Sequence, residues 1–322
     1  MKLAPLDKTR LNDFVLLWNR HIGDAFPMTE TLFKQNSFDD DNVCMDASRM
    51  VINEDDQLVG FVVAKRWQET IDVSMSKTTG WIQVLLIDEA ARNQGNGSRL
   101  LAHVESTFAS KGITKLLLGR DPYHYFPGIP TEFAHVASWF ESKGYTHSDT
   151  EYDLLRSYTD DDSDVERSKH IPEKSNVHFT LLDISEQDDL LAFLHRCFPG
   201  RWEYEAMHYF RKGGTGREFA VLKKNDQIIG FCRINDSKSP YIAQNVYWSP
   251  LFDDELGGVG PLGVDAQERG QGYGIAMVET GIAYLRQRGI NRIAIDWTGL
   301  VDFYKKLSYT PWKSYESYNK TL

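Results

Sequence analysis

Arg269-Gly270-Gln271-Gly272-Tyr273-Gly274 follows an apolar segment ending Leu262-Gly263-Val264 and opens a stretch with helical periodicity. Glycines in that setting let the backbone turn tightly and approach a ligand with no Cβ in the way. Unpaired amides at a helix start face an anion. The expected chemistry is a pyrophosphate cradle built from Arg269, Gly270, Gln271, Gly272, Tyr273, Gly274 and Ile275. Glycine spacing alone does not select the nucleotide. A mononucleotide P-loop needs a Gly-Lys-Ser/Thr ending, which is absent here. A dinucleotide fold needs parallel βαβ units, which the hairpins expected upstream contradict.

The loop is one of four segments that the chain carries twice in the same order. Leu6-Asp7 with Asp13 to Trp18 matches Leu182-Asp183 with Asp189 to Leu194, and Asp56-Gln57-Leu58-Val59-Gly60-Phe61 matches Asp226-Gln227-Ile228-Ile229-Gly230-Phe231 (226 − 56 = 170). Arg92-Asn93-Gln94-Gly95-Asn96-Gly97 matches the glycine loop (269 − 92 = 177), and Trp139-Phe140-Glu141-Ser142-Lys143-Gly144-Tyr145 matches Phe303-Tyr304-Lys305-Lys306-Leu307-Ser308-Tyr309 (303 − 139 = 164). Four matches at nearly constant offset imply duplication of a whole domain. The first copy has 13 extra residues (177 − 164) around Arg120 to Gly128, read as a surface loop. The second has 7 extra (177 − 170) within Asn235 to Gly258. The polar run Asp160-Asp161-Asp162-Ser163-Asp164 with Pro172 cannot build a core and reads as a linker. The expected organisation is a domain at 1–158, an acidic linker at 159–176 and a second domain at 177–322.

These motifs need elements to position them. In the second copy the patterns predict a strand at 177–182, helices at 186–198 and 202–211, strands at 218–223, 227–234 and 259–264, and a helix at 273–288. That last helix carries Ile275, Val278, Ile282 and Leu285 on one face. A strand at 292–296 and a helix at 300–307 follow. The first copy repeats the order, with Leu100, Val104 and Phe108 facing its sheet. The expected fold class is α/β, with two tandem domains, each a mixed, mostly antiparallel twisted sheet flanked by helices.

With both motifs in view, the chain resembles the GNAT superfamily of N-acetyltransferases in a tandem two-domain form. That family's CoA loop, Arg/Gln-x-x-Gly-x-Gly/Ala, is matched by Arg269, Gly272 and Gly274, and again by Arg92, Gly95 and Gly97. Its Phe-Tyr-x-Lys-x-Gly-Phe segment is similar to 303–309, with Ser308 where the family has glycine. The resemblance implies acetyl-CoA as cofactor, direct attack of an amine on the thioester, and Tyr304 as the general acid for the leaving thiolate. Amides near Leu262 to Val264 would polarise the thioester carbonyl. Asp296, Glu255, Asp253 and Asp254 are the carboxylates available as base, and the sequence does not choose among them.

In the first copy Phe140 stands where Tyr304 does and has no proton to give. Arg92, Gln94, Gly95, Asn96 and Gly97 would still hold CoA, while Tyr123, His124 and Tyr125 of the insertion are alternative donors. Catalysis is therefore expected of the second copy and a supporting role of the first. The expected acceptor is the primary amine of a small molecule, an amino sugar first, with Tyr241, Tyr247, Trp248 and Phe252 available to recognise it. A non-catalytic acyl-CoA sensor and a protein or peptide N-acetyltransferase are the other functions this pattern accommodates.

Composition narrows the partners. A net charge of −10 argues against nucleic-acid binding. No apolar run is long enough to cross a bilayer and no signal core is evident, so no membrane association and a cytoplasmic location are expected. Three cysteines without metal-ligand spacing indicate neither a disulfide framework nor a metal site. Both a monomer and a homodimer are compatible with the sequence.

Overall fold

The computed structural model describes residues 1–159, 162 and 176–322. The expected linker at 159–176 thus lies outside the described residues apart from Thr159, Asp162 and Asn176. Contacts divide the chain into two units: unit 1 holds Met1–Ile71, Met75–Glu151 and Lys313–Leu322, and unit 2 holds Asp72–Ser74 and Tyr152–Trp312.

Unit 1 runs β1 (Lys2–Pro5), α1 (Leu11–Ile22), α2 (Glu30–Phe33), β2 (Arg49–Ile52), β3 (Leu58–Arg66), β4 (Thr79–Ile87), α3 (Asn96–Ser110), β5 (Lys115–Leu118), the short β6 (Ile129–Pro130), α4 (Ala134–Glu141) and the start of β7 (Thr146–Ser157). Its strand order is β1-β2-β3-β4-β5, antiparallel except for the parallel β4/β5 pair. Leu100, Val104 and Phe108 are fully buried under α3, as their spacing requires.

Unit 2 runs from the end of β7 through β8 (Val177–Leu181), α5 (Gln187–Cys197), α6 (Arg201–Arg211), β9 (Phe219–Lys224), β10 (Gln227–Asn235), β11 (Leu256–Val264), α7 (Tyr273–Gln287), β12 (Arg292–Thr298), α8 (Val301–Lys305) and into β13 (Thr310–Thr321). Its order is β8-β9-β10-β11-β12-β7, again antiparallel except for the parallel β11/β12 pair. Asn225 and Asp226 both take positive φ, 49° and 63°, the hand a two-residue hairpin between β9 and β10 needs. Gly281 of α7 would carry a Cβ only 3.0 Å from Cys232 Sγ, so its lack of a side chain lets the helix lie close on the sheet.

Three expectations change. β11 starts at Leu256, not 259, because Gly257 and Gly258 already pair in parallel with Ile293 and Ala294. Each sheet takes its last strand from the opposite end of the duplication: Asn319–Thr321 of β13 pair with β5 in unit 1, and Tyr152–Ser157 of β7 pair with β12 in unit 2. The contact units thereby differ from a 1–158 and 177–322 division at these two strands, and also at Asp72–Ser74. Finally, the insertion at 120–128 is not a surface loop. Asp121, Tyr123, His124, Tyr125 and Phe126 are all buried, with Tyr125 and Phe126 packed on Trp18.

Among the described residues no helix is long and apolar enough to cross a membrane. No group of three His, Cys, Asp or Glu there could hold a metal. Cys44 and Cys232 are buried and Cys197 half-buried, all as free thiols.

Candidate active site

The loop after β11 is shaped by its own residues. Asp265 accepts a hydrogen bond from the Gln267 amide (2.9 Å), and Arg269 Nε donates to Val264 O (3.1 Å), folding the chain back on the strand end. Gly270 and Gly272 then take φ of 82° and 81°, the left-handed region that a side chain disfavours. The first α7 backbone bond recorded in this turn runs from the Ala276 amide to Gly272 O, and the amides of the turn before it have no intrahelical partner. They face a cleft of about 330 Å³ lined by Phe198, Trp202, Leu262, Gly263, Val264, Arg269, Gly270, Gly272, Tyr273 and Gly274. Gln271 and Ile275 are not on its wall. A Cβ on Gly270 or Gly274 would meet nothing within 4 Å, whereas one on Gly263 would collide with the Phe198 ring. The cradle is open at the loop, and the strand end approaches its opposite wall as only a glycine can.

From this cleft β11 leads to the place where the sheet opens. Recorded pairing of β11 with β12 ends at Gly258 and Ala294, and β12 then shifts register between Ile295 and Thr298. Trp297 holds φ of 43°, with its amide donating to Asp153 Oδ1 at 3.0 Å. Such a bulge re-aims a side chain. Asp296, half-buried, comes to lie with Oδ1 3.8 Å from the Cβ position of Gly260 on β11. Burial raises its carboxyl above the ordinary range, opposed first by Arg201 and further by Asn245 and Arg233.

Tyr304 of α8 is 6% exposed and packs against Phe303 and Tyr309. Burial raises its phenol, with Cys232 and Asp296 adding to the shift, so the hydroxyl keeps its proton at neutral pH and sits near both groups. The other carboxylates are elsewhere. Glu255 is exposed at the far end of β11, where it accepts from the Ser237 amide at 3.0 Å. Asp254 pairs with Arg292 at 2.8 Å, which lowers its carboxyl, and Asp253 is exposed. Of these four carboxylates only Asp296 acts on the Tyr304 phenol.

Two stretches of the chain, 16–125 and 188–309, match the Acetyltransferase (GNAT) family. The chain belongs to that family. An uncharacterised N-acetyltransferase of Methanocaldococcus jannaschii is 28% identical over 138 residues, covering 41% of this chain and 60% of that protein. A mycothiol acetyltransferase of Nocardia farcinica is 27% identical over 113 residues, 32% of this chain and 37% of that one. The chain thus spans under two thirds of these curated relatives. Among solved structures, a GCN5-related glucosamine N-acetyltransferase region of a fungal multi-domain GH3 β-N-acetylglucosaminidase matches 99% of this chain at TM-score 0.86 and 23% identity, over 38% of its own length. A tandem GNAT protein from the clavulanic acid pathway matches 99% of this chain and 98% of its own at TM-score 0.67 and 13% identity. These two likenesses are of fold.

The GNAT copy in unit 1 keeps the loop and loses the opening. Arg92 Nε donates to Ile87 O at 3.1 Å and Gly95 has φ of 80°, values that nearly repeat those at Arg269 and Gly272. The Trp139 ring, however, lies 3.5 Å from the Cβ position of Gly97, where Gly274 has open space. The side-chain amides of the exposed Gln94 and the buried Asn96 donate to Ala90 O and Ala91 O of their own loop. Beyond β4 the gap in the sheet is filled. Gln83 donates to Asn36 O and Tyr123 O, Tyr125 shares a hydrogen bond with Ser37, and the fully buried Lys65 pairs with Asp40 (2.8 Å) and Asp121 (2.5 Å). Tyr123, His124 and Tyr125 therefore serve as packing for this GNAT copy, and Phe140 packs on Tyr145.

The recognition residues expected in the 235–258 insertion also sit differently. Tyr247 and Trp248 are buried, Phe252 packs at a tilt against Trp312, and the cation that Tyr241 meets is this chain's own Arg233, 4.6 Å from its ring centroid. What the sequence reading missed is a buried polar group beside Asp296. Glu205 accepts from Gln244 (3.1 Å) and lies 3.6 Å from Arg201 and 3.9 Å from Arg233, while Asn235 and Asn245 both donate to Gly260 O. The Arg201 and Glu205 spacing of four residues on α6 was the one signal available.

Proposed function

We propose that unit 2 is the catalytic unit of an N-acetyltransferase that moves the acetyl group of acetyl-CoA to a primary amine of a small molecule, an amino sugar first among acceptors. The observation carrying this is Asp296, 3.8 Å from the Cβ position of Gly260 on the strand that ends at the open glycine cradle, with the buried Tyr304 phenol pushed up by burial, Cys232 and Asp296.

The cradle suits the diphosphate of acetyl-CoA: its αL glycines, its free Cβ positions and a lone charged wall residue, Arg269, leave room and amide donors for an anion. Bound there, acetyl-CoA supplies the thioester. Asp296 takes the proton that an acceptor ammonium must lose before its nitrogen attacks, a role favoured by a raised carboxyl. Tyr304 gives its phenolic proton to the departing sulfur. Glu205, Gln244 and Asn245 hold the wall around Asp296. The amino-sugar preference draws support from the glucosamine N-acetyltransferase region among the solved structures this chain is similar to.

The test is a free-thiol release assay with acetyl-CoA against amino sugars, polyamines, aminoglycosides and peptides. Thiol release with small amines is expected. Silence across the panel with tight CoA binding would replace the enzyme by a sensor, and activity confined to peptides would replace the acceptor class.

A further inference from the structure

The acceptor end of unit 2 holds a guanidinium that this mechanism leaves unused. Arg201 is the first residue of α6, behind Gly200 at φ 107°. Its guanidinium carbon sits 4.1 Å from the centroid of the Trp297 ring, which fixes the plane of the group. Its Nε is 3.6 Å from Glu205 Oε1, an ion-pair separation too long for a hydrogen bond. Arg201 thus lies between the Glu205 carboxylate and the ring of Trp297, the residue that follows Asp296 in the β12 bulge, and it is the first charge opposing burial at both Asp296 and Glu205. Among the described residues its buried Nη1 nevertheless has no hydrogen-bond partner. Asn235 Oδ1, on a side chain 1% exposed whose amide reaches Gly260 O, is also without one. Buried polar atoms are nearly always satisfied. Two left open around the residue that would face an amine are a place for a polar ligand.

A guanidinium only donates, so the atom missing at Arg201 is an oxygen. We propose that Arg201 is a specificity-determining residue that hydrogen-bonds an oxygen on the acceptor carbon next to the amine-bearing one, making the acceptor a vicinal amino alcohol of the 2-amino-2-deoxy sugar kind. The inference rests on the reading of unit 2 as an N-acetyltransferase with Asp296 at the amine. With the nitrogen at Asp296, the substituent that can meet a group bordering Asp296 is the vicinal one. Charge decides between hydroxyl and carboxylate. Arg201 and Arg233 both pair with Glu205 and are also the charges that oppose the burial of Asp296, so one more buried anion would lack a counter-charge.

The experiment compares the full chain with Arg201→Gln and Arg201→Lys, using acetyl-CoA and three acceptors: trans-2-aminocyclohexanol, cyclohexylamine and alanine. The wild type is expected to prefer the amino alcohol over cyclohexylamine by about tenfold or more in kcat/KM, the size of a hydrogen bond to a charged group. Arg201→Gln is expected to bring that ratio close to one while KM for acetyl-CoA holds, and Arg201→Lys to recover part of it. Equal losses for both amines in Arg201→Gln would make Arg201 a structural prop and end the proposal. Preference for alanine would overturn the hydroxyl assignment. A wild type that acetylates none of the three amines nor any in the wider panel would remove the N-acetyltransferase reading itself, and this inference with it.

Discussion

At the scale of single residues, two groups in unit 2 are tuned in ways an exposed site would not show. Burial pushes the Tyr304 phenol above its ordinary range, with Cys232 and Asp296 adding to the shift. Tyr304→Phe removes one oxygen from a buried ring and is expected to lower kcat about 10²- to 10⁴-fold, the usual yield of a positioned acid. CoA affinity, measured by calorimetry, should stay within a factor of about two, because the ring keeps its packing in the core. Asp296 has a raised carboxyl, and a base works only when deprotonated. The rate should therefore fall as pH drops through its pKa, so the acid limb of kcat/KM is expected above the ordinary carboxylate range. In Asp296→Asn the activity should drop at every pH and this limb should vanish, which a pH profile of both proteins will show. The types of these two residues are visible in the sequence. Their tuning is not, since it comes from burial and from Arg201, Cys232 and Asn245, none of them neighbours in the chain.

At the scale of elements, the loop entering α7 was legible because every feature of it is local. Arg269 bonds a carbonyl five residues away, and two glycines supply the left-handed turns. Gly274→Leu tests the cradle without disturbing the fold. Nothing lies within 4 Å of its Cβ position, and the residue is helical at an exposed end. Its effect on stability should stay within about 0.5 kcal/mol by thermal melting, while KM for acetyl-CoA should rise by about tenfold or more as the side chain enters the cleft. The bulge in β12 was not legible. It depends on Asp153 of β7 receiving the Trp297 amide, across 144 residues of sequence. Asp153→Ala is expected to lower kcat more than it raises KM for acetyl-CoA, because it frees the turn that aims Asp296.

For the whole molecule, the sequence already showed two copies of one domain plan, and the family match falls on both. It did not show which strands complete which sheet. In unit 2, β12 is flanked by Tyr152–Ser157, residues that precede the second copy altogether. A fragment of 177–322 would leave β12 as a bare edge and should be largely insoluble or poorly cooperative in urea melts, while one extended back to residue 146 should recover a cooperative transition. Equal cooperativity of the two fragments would mean that the β7 pairing adds little.

From residue types and spacing alone came the duplication, the two glycine loops, the order of helices and strands, and Tyr304 against Phe140. All of these are written in contacts between residues close in the chain or in patterns repeated along it. Only the tertiary structure decided that Asp296 is half-buried near Gly260 while Glu255 is exposed, that the 120–128 insertion packs the interior of unit 1, and that Arg201 and Glu205 pair beside the β12 bulge. Those outcomes depend on where a strand bulges and which distant side chains share one buried space, and chain spacing carries no record of either.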